Sequence, residues 1–150
     1  VNTQLESLPL RHVLTVPAMG SAVRMARETT EQVLTEWGVS LRHPVVDPAL
    51  LIVSELVTNS VRHAAVLSPN VTVIYAAGPD VFAFAVHDRH PHQPALYDSV
   101  TGPAGGGLAM VVELTLGLSG TAVVRRDADG RGKSIWITLP LTSSRNESSR

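Results

Sequence analysis

Along the chain the spacing of apolar residues switches between two periods, and each switch marks a predicted element. A short apolar run from Val13 to Val16, closed by Pro17 and Gly20, predicts a strand, with the character of an edge strand. Val23, Ala26, Thr30, Val33, Leu34 and Trp37 then recur at helical steps until Gly38 stops the pattern, which predicts an amphipathic helix with Ser21 in the N-cap position. Beyond a loop holding Pro44, Asp47 followed by Pro48 predicts a second helix start, with a side-chain cap and proline in the first turn, and Ala49 to Ala65 runs without a breaker.

The period then shortens to two. Val71, Val73 and Tyr75 alternate with Thr72, Ile74 and Ala76; Gly78-Pro79-Asp80 makes a turn; Phe82, Phe84 and Val86 alternate with Ala83, Ala85 and His87. This predicts an antiparallel pair. From Arg89 to Gly106 the chain carries prolines and glycines without apolar period; roughly 17 residues exceeds most loops within compact domains, and a functional loop or lid is expected there. A third helix is predicted from Leu108 to Leu118, directly after three glycines, and Thr121 to Arg126 pairs with Ser134 to Leu141 across a turn built from Asp127, Asp129, Gly130 and Gly132. The polar tail 142–150 is expected to be disordered. The expected organisation is an N-terminal segment 1–12, one domain 13–141 and that tail. The element order predicts an α+β two-layer sandwich, a mixed, mostly antiparallel sheet with three main helices on one face.

Composition narrows the chemistry. A chain of 150 residues with 44% hydrophobic residues can bury a core of its own. The absence of cysteine excludes disulfides, thiolate metal sites and a cysteine nucleophile. A formal charge of −1 with no basic run leaves no electrostatic footprint for nucleic acid. No apolar stretch is long enough to span a bilayer and no export signal is visible, so a cytoplasmic protein is expected, with neither nucleic acid nor membrane as partner. Lys133 is the only lysine, and position 1 is valine, so the chain is open to being a piece of a longer protein.

Candidate chemistry sits on the second helix. Glu55, Asn59 and His63 are spaced four apart and share a face, with Arg62 beside them, while Leu50, Val53, Val57 and Val61 turn largely away to pack on the sheet. The row reads either as a solvated face or as a carboxylate base one turn from a carboxamide oxygen suited to a hard cation such as magnesium. Gly105-Gly106-Gly107-Leu108 reads either as a hinge or as a helix N-terminus that a phosphate can approach. Asp88 either caps a turn or is a carboxylate held at the core's edge, where it needs donors such as an adenine amine. His87, His90 and His92 alternate on a proline-rich stretch, a poor geometry for three metal ligands.

The stretch Glu55-Leu56-Val57-Thr58-Asn59-Ser60-Val61-Arg62-His63-Ala64 resembles the N-box of the GHKL (Bergerat-fold) ATPases and kinases. Asp88 stands where the aspartate of their first glycine box stands, and Gly105-Gly106-Gly107-Leu108 resembles their second box. Trp37-Gly38 and Gly132-Lys133-Ser134-Ile135-Trp136 are similar to segments of the anti-sigma-factor serine kinase branch, and the resemblance runs from Val13 to Leu141.

The resemblance implies the Bergerat fold, ATP and Mg²⁺ as cofactors, and a role for each matching residue. Glu55 would activate the attacking hydroxyl or water, and Asn59 would hold the metal between the phosphates. Arg62 would lie near the phosphates, with His63 flanking the pocket. Asp88 would accept the adenine amine, and Gly105, Gly107 and Leu108 would line the phosphate end through their backbone. Ser134 would place a hydroxyl by the adenine, in a register for which Lys133 competes. It further implies a homodimer that sequesters a sigma factor and phosphorylates a small anti-sigma-factor antagonist. One departure stands out: Arg89, His90, Pro91 and His92 replace the glycines that normally follow the aspartate. Two other functions are therefore weighed against the kinase: a binding module of the same fold with weak or lost nucleotide binding, and the ATPase domain of a larger regulatory protein.

Overall fold

The computed structural model describes residues 5, 7–64, 68–89 and 106–141, without the side chains of 63, 64 and 106. Within them the chain forms β1 (Leu10–Pro17), α1 (Ser21–Glu36), α2 (Val46–Ala64), β2 (Asn70–Ala77), β3 (Val81–Asp88), α3 (Gly106–Gly117), β4 (Thr121–Arg126) and β5 (Lys133–Pro140). The strands make one sheet in the order β1-β2-β3-β5-β4, and every pairing is antiparallel. The expected α+β sandwich is what forms, with "mostly antiparallel" becoming wholly so among the described residues. Residues 90–105 of the expected lid and the tail 142–150 lie outside the described residues.

Strand alternation divides the sheet into two unlike faces. Val71, Val73, Tyr75, Phe82, Phe84, Val86, Ile135, Ile137 and Leu139 point inward and share one core with Ala26, Leu34, Ile52, Val53, Leu56, Val57, Val111 and Val112 from the helices. The opposite parity carries Ile74, Ala76, Ala83, Ala85 and Trp136, against which only Leu5 and Leu8 pack among the described residues. Burial of α2 follows the predicted stripe: Leu50, Val53 and Val57 are buried and Val61 packs on the core.

Helix ends show where short-range reading needed help from context. Ser21 is the first residue of α1 rather than its cap; Gly20 takes that position and makes no side-chain bond. A turn does the work instead, with the Ala22 N–H donating to the Met19 carbonyl at 2.9 Å. The other end of α1 closes as predicted at Gly38, whose φ of +80° lets Gly38 N–H donate to Thr35 and Val39 N–H to Leu34. α2 starts at Val46, so Asp47 and Pro48 fall in its first turn, and His43 Nδ1 accepts the Val45 N–H at 3.0 Å just before it. α3 starts at Gly106, two residues earlier than predicted.

α1 is fastened to the sheet by a buried hydroxyl pair. Tyr75 Oη lies 2.9 Å from Thr30 Oγ1 and 3.2 Å from the Ala26 carbonyl, to which Thr30 also donates at 2.7 Å. Burial pushes the Tyr75 phenol up to about 12, with the Thr30 contact acting the other way.

Candidate functional site

The site lies where α2, the start of α3 and the facing ends of β3 and β5 meet. α2 supplies a polar row because its apolar residues are used up on the core side. Glu55 and Asn59 are half-buried one turn apart, and Arg62 is exposed. Glu55 packs on the first turn of α3 so closely that a Cβ at Gly107 would collide with its carboxylate. The glycine therefore has a steric reason: it lets a helix N-terminus, with its unpaired N–H groups and partial positive charge, sit directly against a carboxylate. Leu108, next along, turns its side chain to the core.

At the other end, alternation along β3 puts Asp88 on the same face as Phe82, Phe84 and Val86, and only 2% of its surface is exposed. A carboxylate so placed needs donors. Ser60 Oγ donates to Asp88 Oδ2 at 2.7 Å, and Lys133 Nζ donates to Oδ1 at 2.8 Å. Lys133 is the cross-strand partner of Asp88, and its side chain is only 11% exposed. Asp88 is thus a carboxylate at the core's edge rather than a turn cap.

The register corrects one predicted placement. Ser134 pairs with His87, whose neighbours Ala83 and Ala85 belong to the outer face, so Ser134 lies on the side of the sheet away from Asp88. Side chains of adjacent strand residues point to opposite faces, and Lys133 takes the inward place. Gly105 and the side chain of His63 lie outside the described residues, as do His90 and His92.

A second polar cluster anchors the chain as it leaves β3. Ser68, fully buried, accepts the Arg89 N–H at 2.9 Å and donates to the Asn70 carbonyl at 2.8 Å. Asp127 receives His87 Nε2 at 2.9 Å and Arg89 Nη1 at 2.9 Å, while Arg89 Nη2 reaches Asp129 at 2.8 Å. The hydrogen bond from Arg89 holds the Asp129 carboxyl below its ordinary range, and the same bond raises Arg89. At Gly132 any Cβ would strike Asp127 and the Asp88 carbonyl, so the turn between β4 and β5 closes onto the end of β3. Ion pairs and a tight hairpin thus surround the end of β3 at Asp88 and Arg89.

The sequence alone assigns no role to Ser60 or Ser68, and gives Asp127 only a place in the turn between the last two strands. Ser60 carried one usable signal: it is a polar residue that helical spacing turns toward the core side with Leu56 and Val57. Ser68 and Asp127 are loop residues whose partners Arg89 and His87 are distant in sequence, so the turn signal at Asp127 does not reveal its ion pairs.

Both ends bear on what could bind. Asn59 offers a single carboxamide oxygen, which suits Mg²⁺ held jointly with phosphates and water, and the α3 N-terminus, packed against Glu55 one turn earlier on α2, suits the phosphates. The residues fit the metal and phosphate end of a nucleotide. At the base end the Asp88 carboxylate is already engaged by Lys133. Among the described residues no group of His, Asp and Glu forms a metal cluster, and no helix is long and apolar enough to cross a membrane.

The family model described as histidine kinase-, DNA gyrase B- and HSP90-like ATPase matches residues 45–143, which contain α2, the β3–β5 site and α3. A search of curated protein sequences gives no match. Among solved structures, the chain is similar to the RsbU and RsbW domains of Rv1364c from Mycobacterium tuberculosis, with 24% identity, a TM-score of 0.64 and coverage of 88% of this chain and 32% of that one. It is also similar to the histidine kinase domain of the blue-light activated histidine kinase EL346 from Erythrobacter litoralis, with 20% identity, a TM-score of 0.57 and coverage of 87% and 64%. The chain thus spans about a third of the first structure and under two thirds of the second, and at these identities the likeness is one of fold.

Proposed function

The chain belongs to the histidine kinase-, DNA gyrase B- and HSP90-like ATPases, and we propose that within this family it is an ATP-dependent protein serine/threonine kinase of the anti-sigma type. It would sequester a sigma factor and phosphorylate a small antagonist protein. The observation that carries the reading is the contact of Glu55 with Gly107 at the start of α3, with Asn59 one turn further along α2. On this reading the base, the hard-cation ligand and a helix end suited to phosphates come from adjoining turns of α2 and the start of α3, and phosphoryl transfer consists mainly of positioning such groups.

Bound Mg-ATP would supply the transferable phosphoryl group. The chain's own part is to orient it and to manage one proton. Glu55 would take the proton of the acceptor hydroxyl as that oxygen bonds to the terminal phosphorus and the bond to the departing ADP breaks, Asn59 would lend its oxygen to the cation, and the first-turn N–H groups of α3 would receive the phosphates. The similarity to a structure that includes an RsbW domain supports the partner-switching context. Homodimerisation and a cytoplasmic location belong to the same proposal.

Purified chain incubated with Mg-ATP and candidate antagonist proteins is expected to transfer phosphate to a serine or threonine, read by mass spectrometry. Glu55→Gln is expected to lower the rate at least about 100-fold, the usual scale of a lost general base, with nucleotide binding retained. Binding without transfer in the unmodified chain would overturn the kinase reading.

A second reading is favoured by the Lys133–Asp88 pair, which occupies the carboxylate that would meet the base. On it, the fold is kept as a protein-binding module with weak nucleotide affinity, or as the ATPase unit of a larger regulatory protein.

A further inference from the structure

We infer that the free edge of β1 is a docking surface for a second copy of this chain, the two β1 strands pairing antiparallel about a two-fold axis at Val13. The inference names the surface of the homodimer proposed above and rests on the strand's own geometry, with no appeal to nucleotide.

Two hydrogen bonds fix which way the backbone of β1 points. The register carries Pro17↔Asn70 on to Ala18 opposite Pro69, and the Ala18 N–H donates to the Pro69 carbonyl at 2.8 Å. Even positions of β1 therefore bond to β2. The turn after β2 agrees: Gly78 N–H donates to Val81 at 3.0 Å, which aims the even positions of β2 at β3 and leaves Val71, Val73 and Tyr75 for Val16, Leu14 and His12. Arg11, Val13 and Thr15 thus turn N–H and C=O to the outside of the sheet, where no backbone partner meets them among the described residues.

An edge of this kind is usually guarded by charge, proline or a bulge. β1 runs eight residues in unbroken register with one charged side chain, Arg11, which is turned back on its own chain to the Leu5 carbonyl at 3.3 Å. β4, at the other edge, is six residues long and ends in Arg125 and Arg126.

The strand is also its own complement. A two-fold antiparallel pair sets opposed residues on the same face, so the axis passes through one residue. Centred on Val13, it sets Val13 against the partner's Val13 and Arg11 against the partner's Thr15. Every outward group of the three residues is then paired, with two bonds at Val13 and two at each Arg11–Thr15 pair, and no like charges are opposed. Centred on His12, the Thr15 carbonyl faces Pro9; centred on Leu14, the Arg11 carbonyl faces Pro17; neither proline has an N–H to give. The same register continues an apolar line. Val13, Ile74, Ala85, Trp136 and Val123 lie opposite one another across the outer face, and Val13, 58% exposed, ends that line at the axis.

Sedimentation velocity of the full chain over a concentration series is expected to show a monomer–dimer equilibrium. The chain has no cysteine, so Val13→Cys carries a single thiol. Mild oxidation is expected to link it into a dimer, because residues opposed across such a pair stand about 5.5 Å apart at Cα, within disulfide range. Val123→Cys, on the other edge, is expected to stay unlinked. Val13→Pro removes the outward N–H and leaves the bonds to β2, and is expected to raise the dissociation constant at least about tenfold, the scale of two lost hydrogen bonds. Val13→Lys, which opposes two ammonium groups at the axis, serves if the proline variant fails to fold. A monomer at every concentration, a dimer that both variants leave intact, or cross-linking through Val123 in place of Val13 overturns the inference. Phosphotransfer by a monomeric chain leaves the kinase reading standing without it, and a dimer linked at Val13 that transfers no phosphate does the reverse.

Discussion

Single residues at this site are decided by which face of a strand they occupy. Ile135, Ile137 and Leu139 are inward, and so is every odd position of β5, Lys133 included. That parity was visible in the sequence, as it was for Asp88 with Phe82, Phe84 and Val86. Trp136 obscured it, because a large aromatic at an even position reads as core when it in fact packs on the outer face with Ala83 and Ala85. A slip of one residue exchanges Lys133 for Ser134 and turns an ammonium beside Asp88 into a hydroxyl, which is why so small an ambiguity mattered chemically. The residue scale also yields a stability prediction. Thr115 on α3 is fully buried and its hydroxyl has no hydrogen-bond partner among the described residues. Thr115→Val keeps the shape and removes a buried polar group, and a gain of about 1 kcal/mol is expected in urea unfolding.

At the scale of elements, the helix α2 was the most legible part of the chain, since its apolar stripe and its polar row are both local patterns. The junction of α2 with α3 was not. The sequence offered three glycines before a helix, equally suited to a hinge, and only packing reveals that Gly107 faces Glu55. Gly107→Ala is therefore expected to push the Glu55 carboxylate aside. Phosphotransfer should fall by roughly 100-fold, about what a misplaced catalytic group costs, while far-UV circular dichroism stays unchanged because alanine suits a helix better than glycine does. Retained activity in this variant would separate Glu55 from the chemistry. The same limit applies to Ser60 and Ser68, whose partners Asp88 and Arg89 come from another element.

Over the whole molecule, one layer of helices covers one face of the sheet, and the hydroxyl pair of Tyr75 and Thr30 joins the layers. Its titration gives the fold an alkaline limit. The phenol rises from 10.0 to about 12 in the folded chain, so the folded state holds a proton that the unfolded state releases earlier. The sign follows: the contribution is whole below pH 10, shrinks as pH climbs from 10 to about 12, and amounts to roughly 2 to 3 kcal/mol over that span. Tyr75→Phe is expected to cost roughly 1 kcal/mol at neutral pH through its lost hydrogen bonds. It should also show a flatter decline of urea midpoint above pH 10; a decline as steep as the unmodified chain's would assign the alkaline limit to other groups.

The strand order has a temporal consequence. β5 inserts between β3 and β4, although β3 is completed at Asp88 and β5 begins only at Lys133. During synthesis the sheet's first three strands and the helix bearing Glu55 can assemble while Asp88 still lacks its lysine. Because contacts between distant segments form slowly, the base end of the site is finished last, by the final described strand to leave the ribosome. A chain stalled before that strand would carry the Glu55 carboxylate and a buried charge at Asp88 without its counter-ion, and it would be the species most dependent on chaperones.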